Sequence, residues 1–515
     1  MIGASEEHSG ALSETTVLIT SVLIAGLCSL LYELLISTTA SYFLGDSIRQ
    51  FSITIGVYMA AMGLGAWLSR LLNPPLLGRF IAVEIALGIV GGLSVPLLYL
   101  VFAYTDVFQL AVIALVVLIG ILTGLEVPLL TRIMERHYAL KVNLSNVLSV
   151  DYLGALLATL AFPFLLLPFL GVFRSAVLAG LVNMSVGFLN LWYFADRLPM
   201  RRRRVLWGAT IAVTLVLGIT LALARGLLFA WSNDIYGDRI VLRKQTPYQN
   251  IVLTRYQHDL RLYLNGNLQF SSLDEYRYHE ALVHIPAGLV TGAMDVLVLG
   301  GGDGLAVREL LKYDRVRHVT LVDLDPAMLR LARNNPHLLR LNDHSLGASR
   351  VRLVSDDAFV FLRDSERRYD LIIADLPDPN TVSLARLYSR EFYRLVRYHL
   401  SPDGVFVTQA TSPFYATEAF WTIANTLQAA GFQSVRPYHA YVPSFGDWGF
   451  VMATDRPLRA EALQVDVPTR FLREGFTESL FRFGADTLAE RTHTVSTIDS
   501  PTVLTQYLAG WQYWN

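Results

Sequence analysis

Charge is scarce in this chain, and so is cysteine. Only 17% of its 515 residues are Asp, Glu, Lys or Arg, against 53% hydrophobic, and mean hydropathy is +0.41. That balance is too apolar for an ordinary soluble globular protein and implies a membrane part beside a water-soluble part. The formal net charge of -1 gives no basic surface for nucleic acid, so no such partner is expected. The single cysteine, Cys28, lies in an apolar run. It excludes an intrachain disulfide, no zinc-type spacing exists, and no metal site is read. A basic n-region is also missing: the N-terminus is polar and mildly acidic, so a cleaved signal peptide is not expected. There is no internal repeat and no low-complexity tract.

What the chain has instead is long apolar runs, all before residue 231. Seven are read: about 15–37, 48–69, 80–104, 107–130, 147–170, 173–195 and 205–230. Each is close to the ~20 residues that span a bilayer as a helix. Tyr104, Trp192, Tyr193 and Trp231 sit near run ends, where interfacial anchors belong. Residues 1–231 are therefore expected to form a multi-pass α-helical transmembrane domain with the lipid bilayer as partner.

The texture changes after Trp231. Residues 232–290 carry strand-like alternation, Ile251-Val-Leu-Thr-Arg255 and Leu260-Arg-Leu-Tyr-Leu264, with Asn265-Gly266 as a turn. Over 291–455, short apolar strands alternate with helical stretches. The strands are Val296–Leu299, Val319–Val322, Val351–Val354, Leu371–Ala374 and Val405–Thr408. That alternation predicts an α/β domain with a parallel sheet and crossover helices. Residues 456–515 show no motif and read as a surface extension or a cover for the domain.

Val296-Leu-Val-Leu-Gly-Gly-Gly-Asp-Gly304 is a strand running into a glycine-rich turn. Such a turn places a nucleotide-like ligand at the carboxyl end of a parallel sheet. Asp303 inside it favours a cationic ligand and repels an anionic one. Three more acids follow strand ends. Asp323 comes about twenty residues after the loop, where an acid accepts ribose hydroxyls. Asp357 is suited to an adenine amino group. Asp375 opens Asp375-Leu-Pro-Asp378-Pro379. One such acid is as easily a helix cap; four in series form a constellation.

These residues resemble the spermidine synthase family of aminopropyltransferases. The likeness covers roughly 240–450. It takes in Tyr248-Gln-Asn-Ile251, Leu262-Tyr-Leu-Asn-Gly-Asn-Leu-Gln269, Asp274-Glu275, Tyr278-His279-Glu280, the loop Gly300, Gly301, Gly302, Asp303 and Gly304, Asp375-Leu-Pro-Asp-Pro379, Phe392-Tyr393 and Gly404. The apolar half looks like the membrane-anchored branch of that family. The resemblance implies a methyltransferase-like Rossmann domain behind a small β-subdomain. It also implies decarboxylated S-adenosylmethionine as co-substrate with no tightly bound cofactor, a small polyamine such as putrescine as acceptor, and a homo-oligomer. Carried over by motif, Gln249, Asp303, Asp323 and Asp357 would hold the donor, with Gln269 lining its pocket. Tyr278, His279, Asp375, Asp378 and Phe445 would meet the acceptor.

The chemistry of that reaction agrees with the acids. A sulfonium donor ending in an ammonium must meet a second cation, which calls for several carboxylates. The carboxylate of ordinary S-adenosylmethionine would be repelled by Asp303. An acceptor ammonium, with a pKa near ~10.4, must lose a proton before attack. Asp375 is the expected base, with Tyr278 hydrogen-bonding the nitrogen.

Two features depart from the family. Val442-Pro-Ser-Phe-Gly-Asp-Trp-Gly-Phe450 stands where the family has a tyrosine-bearing Pro-Thr-Tyr-Pro-Ser-Gly segment, so Phe445 brings no hydroxyl. The family's ribose glutamate is Asp323. Two other functions compete: an S-adenosylmethionine-dependent methyltransferase on a lipid or small molecule, and a polyamine transporter or sensor with a ligand-binding Rossmann domain. The second draws on Glu33, Glu84, Glu126 and Asp151 inside the apolar runs, which either form a cation-accepting cavity, make interhelical hydrogen bonds or lie near an interface. Basic residues cluster in alternate loops: Arg70 and Arg79; Arg132, Arg136 and Lys141; Arg197 and Arg201–Arg204. With seven spans the positive-inside rule puts the catalytic domain outside, whereas donor supply puts it in the cytoplasm.

Overall fold

The computed structural model describes residues 13–44, 47–105, 107–135, 140–457, 465–473, 475–488 and 493–514. Arg136 lies outside them. The chain divides into two units at Gly237 and Asp238, a few residues beyond the boundary read at 231.

The first unit is all helix: α1 (Glu14–Leu44), α2 (Ser47–Leu68), α3 (Leu76–Tyr104), α4 (Phe108–Met134), α5 (Leu140–Ala161), α6 (Leu167–Tyr193) and α7 (Met200–Tyr236). Among the described residues six stretches are long and apolar enough to cross a membrane. The runs read separately at 147–170 and 173–195 belong to one 53-residue stretch, Lys141–Tyr193. That stretch is not one continuous helix: Gly171 (φ 73°, ψ 174°) leaves helical geometry, so two helices meet there, between the two runs read from the sequence. On the N-terminal side of that break, a π turn at Phe162–Leu166 carries Pro163 within the helix. The helix pairs α2–α4, α3–α6 and α1–α5 pack most extensively. The first pair meets backbone to backbone: a Cβ on Gly124 would lie 2.1 Å from the Met62 carbonyl oxygen, and one on Gly65 the same distance from that of Ile121. Glu84 on α3 accepts from Asn183 Nδ2 on α6 (3.1 Å), an interhelical hydrogen bond.

The second unit opens with a four-stranded antiparallel sheet of β1 (Arg239–Gln245), β2 (Asn250–Tyr256), β3 (Asp259–Leu264) and β4 (Asn267–Ser271), paired in chain order. The predicted Asn265-Gly266 turn joins β3 to β4 with both residues at positive φ (51° and 84°), the pairing that asparagine and glycine tolerate best. Then come α8 (Glu275–Ala287), β5 (Met294–Gly300), α9 (Leu305–Leu310), β6 (Val316–Asp323), α10 (Pro326–Asn334), α11 (Pro336–Leu341), β7 (Val351–Ser355), α12 (Ala358–Asp364), β8 (Tyr369–Asp375), α13 (Val382–Ala385), α14 (Arg390–Tyr398), β9 (Leu400–Gln409), α15 (Thr417–Ala429), β10 (Ser434–Val442), β11 (Gly446–Thr454) and α16 (Thr502–Trp514).

Strands β5–β11 form one seven-stranded sheet, ordered β10-β11-β9-β8-β5-β6-β7. Its five predicted strands are parallel, and each lies inside an observed one. Val296–Leu299 is buried throughout, as a strand covered on both faces must be. The sheet is mixed rather than parallel throughout, because β10 and β11 form an antiparallel hairpin on the β9 edge. The chain leaves β5 in one direction to build β6 and β7, and returns on its other side with β8. The crevice at the carboxyl ends of β5, β6 and β8 is the switch point where doubly wound sheets hold ligands. Beyond residue 455, Arg470, Phe471 and Leu472 are tied to the domain: the Glu280 carboxylate on α8 accepts from their backbone N–H groups at 2.7–3.0 Å.

Candidate active site

The glycine loop gathers the site. Gly300 and Asp375 are register partners on β5 and β8, and the Gly301 N–H donates to the Asp375 carbonyl (2.9 Å). Side chains are excluded from this loop by close approach. A Cβ on Gly302 would lie 2.4 Å from Asp323 Oδ2, and one on Gly301 2.9 Å from Asp375 Oδ2. The loop backbone thus runs between the two carboxylates. Gly304 (φ 84°) turns the chain into α9, and Asp303 Oδ1 accepts from the Leu305 N–H (2.8 Å).

Around that loop, Asp303, Asp323, Asp375 and Asp378 are all half-buried at strand ends. Burial, the largest cause in each case, pushes Asp303, Asp323 and Asp378 up to about 6. Asp375 is also raised by burial, while charged His279 and the Tyr278 hydrogen bond pull it back. The Tyr278 hydroxyl donates to Asp375 Oδ1 at 2.7 Å. Burial and then the Asp375 charge raise that phenol well above its ordinary value, so it stays protonated.

His279 lies behind the acids, 2% exposed, with Nδ1 2.8 Å from Glu275 Oε2. Burial lowers the imidazole, but the Glu275 hydrogen bond and the charges of Glu275, Asp303 and Asp375 outweigh it and push it up to about 9. Arg308 grips the same Glu275 carboxylate with both terminal nitrogens (2.9 and 3.0 Å). A buried cation therefore backs a cluster of anions, which limits the cost of assembling them.

Other expected residues are placed as follows. Gln249 reaches the end of β6 through Asp325, donating to its Oδ2 (3.1 Å) beside the Thr246 hydroxyl (2.8 Å). Gln269, on β4, donates to the Asn267 carbonyl (3.2 Å). Asp357 caps α12, accepting from the Phe359 and Val360 N–H groups (3.0 and 3.2 Å), and its other oxygen pairs with Arg386. That carboxylate is engaged on both oxygens. Phe445, in the β10–β11 turn, lies edge-on to Tyr278 with ring centroids 6.2 Å apart.

Three residues at the site carry no signal that the sequence reading used. Asp325 is the buried N-cap of α10. Gln409 stands one position past the predicted end of its strand, and its Nε2 donates to Asp378 Oδ1 (3.1 Å) and the Leu376 carbonyl (2.8 Å). The Tyr507 hydroxyl, from α16, donates to Asp378 Oδ2 (3.0 Å). A polar amide at the carboxyl end of a predicted strand was a findable signal for Gln409; a tyrosine in a motifless tail offers none.

Residues 275–461 match the spermine/spermidine synthase domain. Polyamine aminopropyltransferase 2 of Ralstonia nicotianae is 45% identical over 480 residues, 91% of this chain and 93% of the relative. The chain belongs to the polyamine aminopropyltransferase family. A polyamine aminopropyltransferase of Mycobacterium tuberculosis is 40% identical over 522 residues and 99% of each chain, so the likeness runs through the helical unit as well. Among solved structures, the spermidine synthase of Thermotoga maritima aligns with 25% identity and a TM-score of 0.45 over 48% of this chain and 85% of that one. The protein is thus a transferase of polyamine biosynthesis, an aminopropyltransferase joined to six long apolar helices that fit membrane association.

Proposed function

We propose that this aminopropyltransferase moves the aminopropyl group of decarboxylated S-adenosylmethionine to a diamine such as putrescine, giving spermidine and methylthioadenosine. The observation that carries this reading is the group of four carboxylates, Asp303, Asp323, Asp375 and Asp378, around one glycine loop. In that site Asp303 receives the donor's ammonium, Asp323 the ribose hydroxyls, and Gln249, Gln269 and Asp357 border the adenosyl group. Asp375 takes a proton from the near ammonium of the acceptor, with Tyr278 holding the other carboxylate oxygen. The freed nitrogen lone pair attacks the aminopropyl carbon beside sulfur. The C–N bond forms as the C–S bond breaks, and the electron pair goes to sulfur, leaving a neutral thioether. Asp378 and Phe445 line the acceptor, and His279 acts on it through the charge it presents to Asp375. Holding two cations in line supplies much of the acceleration. The helical unit anchors the enzyme, with the catalytic unit in the cytoplasm where the donor is made; the arginines at 201–204 argue for the opposite side, and cysteine labelling in intact cells decides.

The test is incubation of the full-length protein with decarboxylated donor and a panel of amines, read by product mass. Methylthioadenosine and an aminopropylated diamine are expected, and Asp375→Asn should cut kcat by roughly 10²–10⁴-fold. Turnover with S-adenosylmethionine and none with its decarboxylated form would sink the reading.

A further inference from the structure

We propose that Tyr507, on the C-terminal helix, is a positioning residue for the acceptor: it fixes the Asp378 carboxylate and, with its helix, closes the acceptor end of the site. The proposal rests on the aminopropyl-transfer reading above and extends it to a part of the chain outside the matched domain, which ends at residue 461.

Two carboxylates stand three residues apart after β8, and each holds one tyrosine hydroxyl. Tyr278, from α8, donates to Asp375 at 2.7 Å; Tyr507, from the far end of the chain, donates to Asp378 at 3.0 Å. Gln409 occupies the other Asp378 oxygen at 3.1 Å. An ionised carboxylate accepts about four hydrogen bonds, so two fixed donors orient Asp378 and leave acceptor capacity for an ammonium. With Asp375 at the reacting nitrogen, Asp378 is placed for the distal ammonium of a diamine.

The tyrosine is held in place rather than merely nearby. A Cβ on Gly510, three residues along α16, would lie 2.7 Å from the Tyr415 carbonyl oxygen and 2.8 Å from Ala416 Cα. The helix therefore lies directly against the backbone that follows β9. One turn on from Tyr507, Trp511 stacks on the Tyr415 ring with centroids 5.0 Å apart and planes at 27°. The same ring lies against Gly446, whose added Cβ would come within 2.8 Å of Tyr415 Cε2. Gly446 adjoins Phe445 in the β10–β11 turn. Turn, Tyr415 ring and α16 make one continuous wall, and Tyr507 carries the hydroxyl that Phe445 lacks.

The test uses the full-length protein in detergent micelles. Tyr507→Phe keeps the ring and removes the hydroxyl. The acceptor KM should rise about tenfold, the scale of a hydrogen bond to a charged group, with kcat and donor KM within about twofold. The acid limb of kcat/KM for the acceptor should also move to higher pH, because Asp378 loses a donor that favours its ionised form. Asp378→Asn should raise the acceptor KM as well, and the double variant should be less than additive. Melting temperature separates these effects from a loss of fold. Normal wild-type turnover with an unmoved acceptor KM and acid limb in Tyr507→Phe overturns this proposal alone. A wild-type enzyme that aminopropylates no amine overturns the transfer reading, and this proposal with it.

Discussion

At the scale of single residues, the site is a set of carboxylates held short of full ionisation. Asp303 and Asp323 are pushed up to about 6 by burial, from an ordinary value near 4. A raised carboxylate binds a proton more tightly in the folded protein, and a cationic ligand competes with that proton. Donor binding should therefore release protons, and donor affinity should rise as pH climbs through about 6. Calorimetry near pH 6 in buffers of different ionisation enthalpy checks this; net proton uptake on binding would contradict it. The acids were legible in the sequence because their position after an apolar strand fixes their place at a sheet's carboxyl edge. Tyr507 was not, since nothing local marks a side chain whose partner lies 129 residues away. Asp357 shows the reverse case: its position was readable, but its engagement by a helix cap and Arg386 depends on packing.

Elements with a strong period were the readable ones. Each of the five parallel strands announced itself as a short apolar run between turn residues, and Asn265-Gly266 named its own hairpin. The β10–β11 hairpin escaped because its alternation is broken by Pro437 and by Gly446 and Gly449. The path of residues 470–472 escaped because it is set by a distant side chain. Glu280, 1% exposed on α8, is what gives residues 470–472 a fixed path. Three N–H donors converge on that carboxylate, and an amide cannot accept them all without turning its own N–H groups toward them. Glu280→Gln should thus destabilise the second unit by roughly 2–3 kcal/mol, the range for buried hydrogen bonds to a charged group. Thermal unfolding of the full chain, with limited proteolysis after residue 455, tests it. An unchanged melting temperature and an uncut tail would show that α16 holds itself in place.

At the scale of the whole molecule, the two units present different surfaces. The second unit buries its apolar side chains in clusters around two sheets. The first also has a continuous core, yet it leaves Met59, Leu110, Phe164, Phe169, Leu215 and Ile219 exposed. Apolar side chains turned outward along helices of 22–37 residues would be a large aggregation liability in water. Lipid removes that liability, and a helix satisfies its own backbone there. Glu84 and Glu126 face inward in the same unit, both nearly inaccessible, where an intramembrane acid must lie. The full-length enzyme should therefore remain in the membrane pellet through an alkaline carbonate wash and leave it only with detergent, taking aminopropyltransferase activity with it. Release by carbonate alone would mean that these outward faces are covered by protein rather than lipid. The six stretches would then be the core of an assembly instead of a membrane domain.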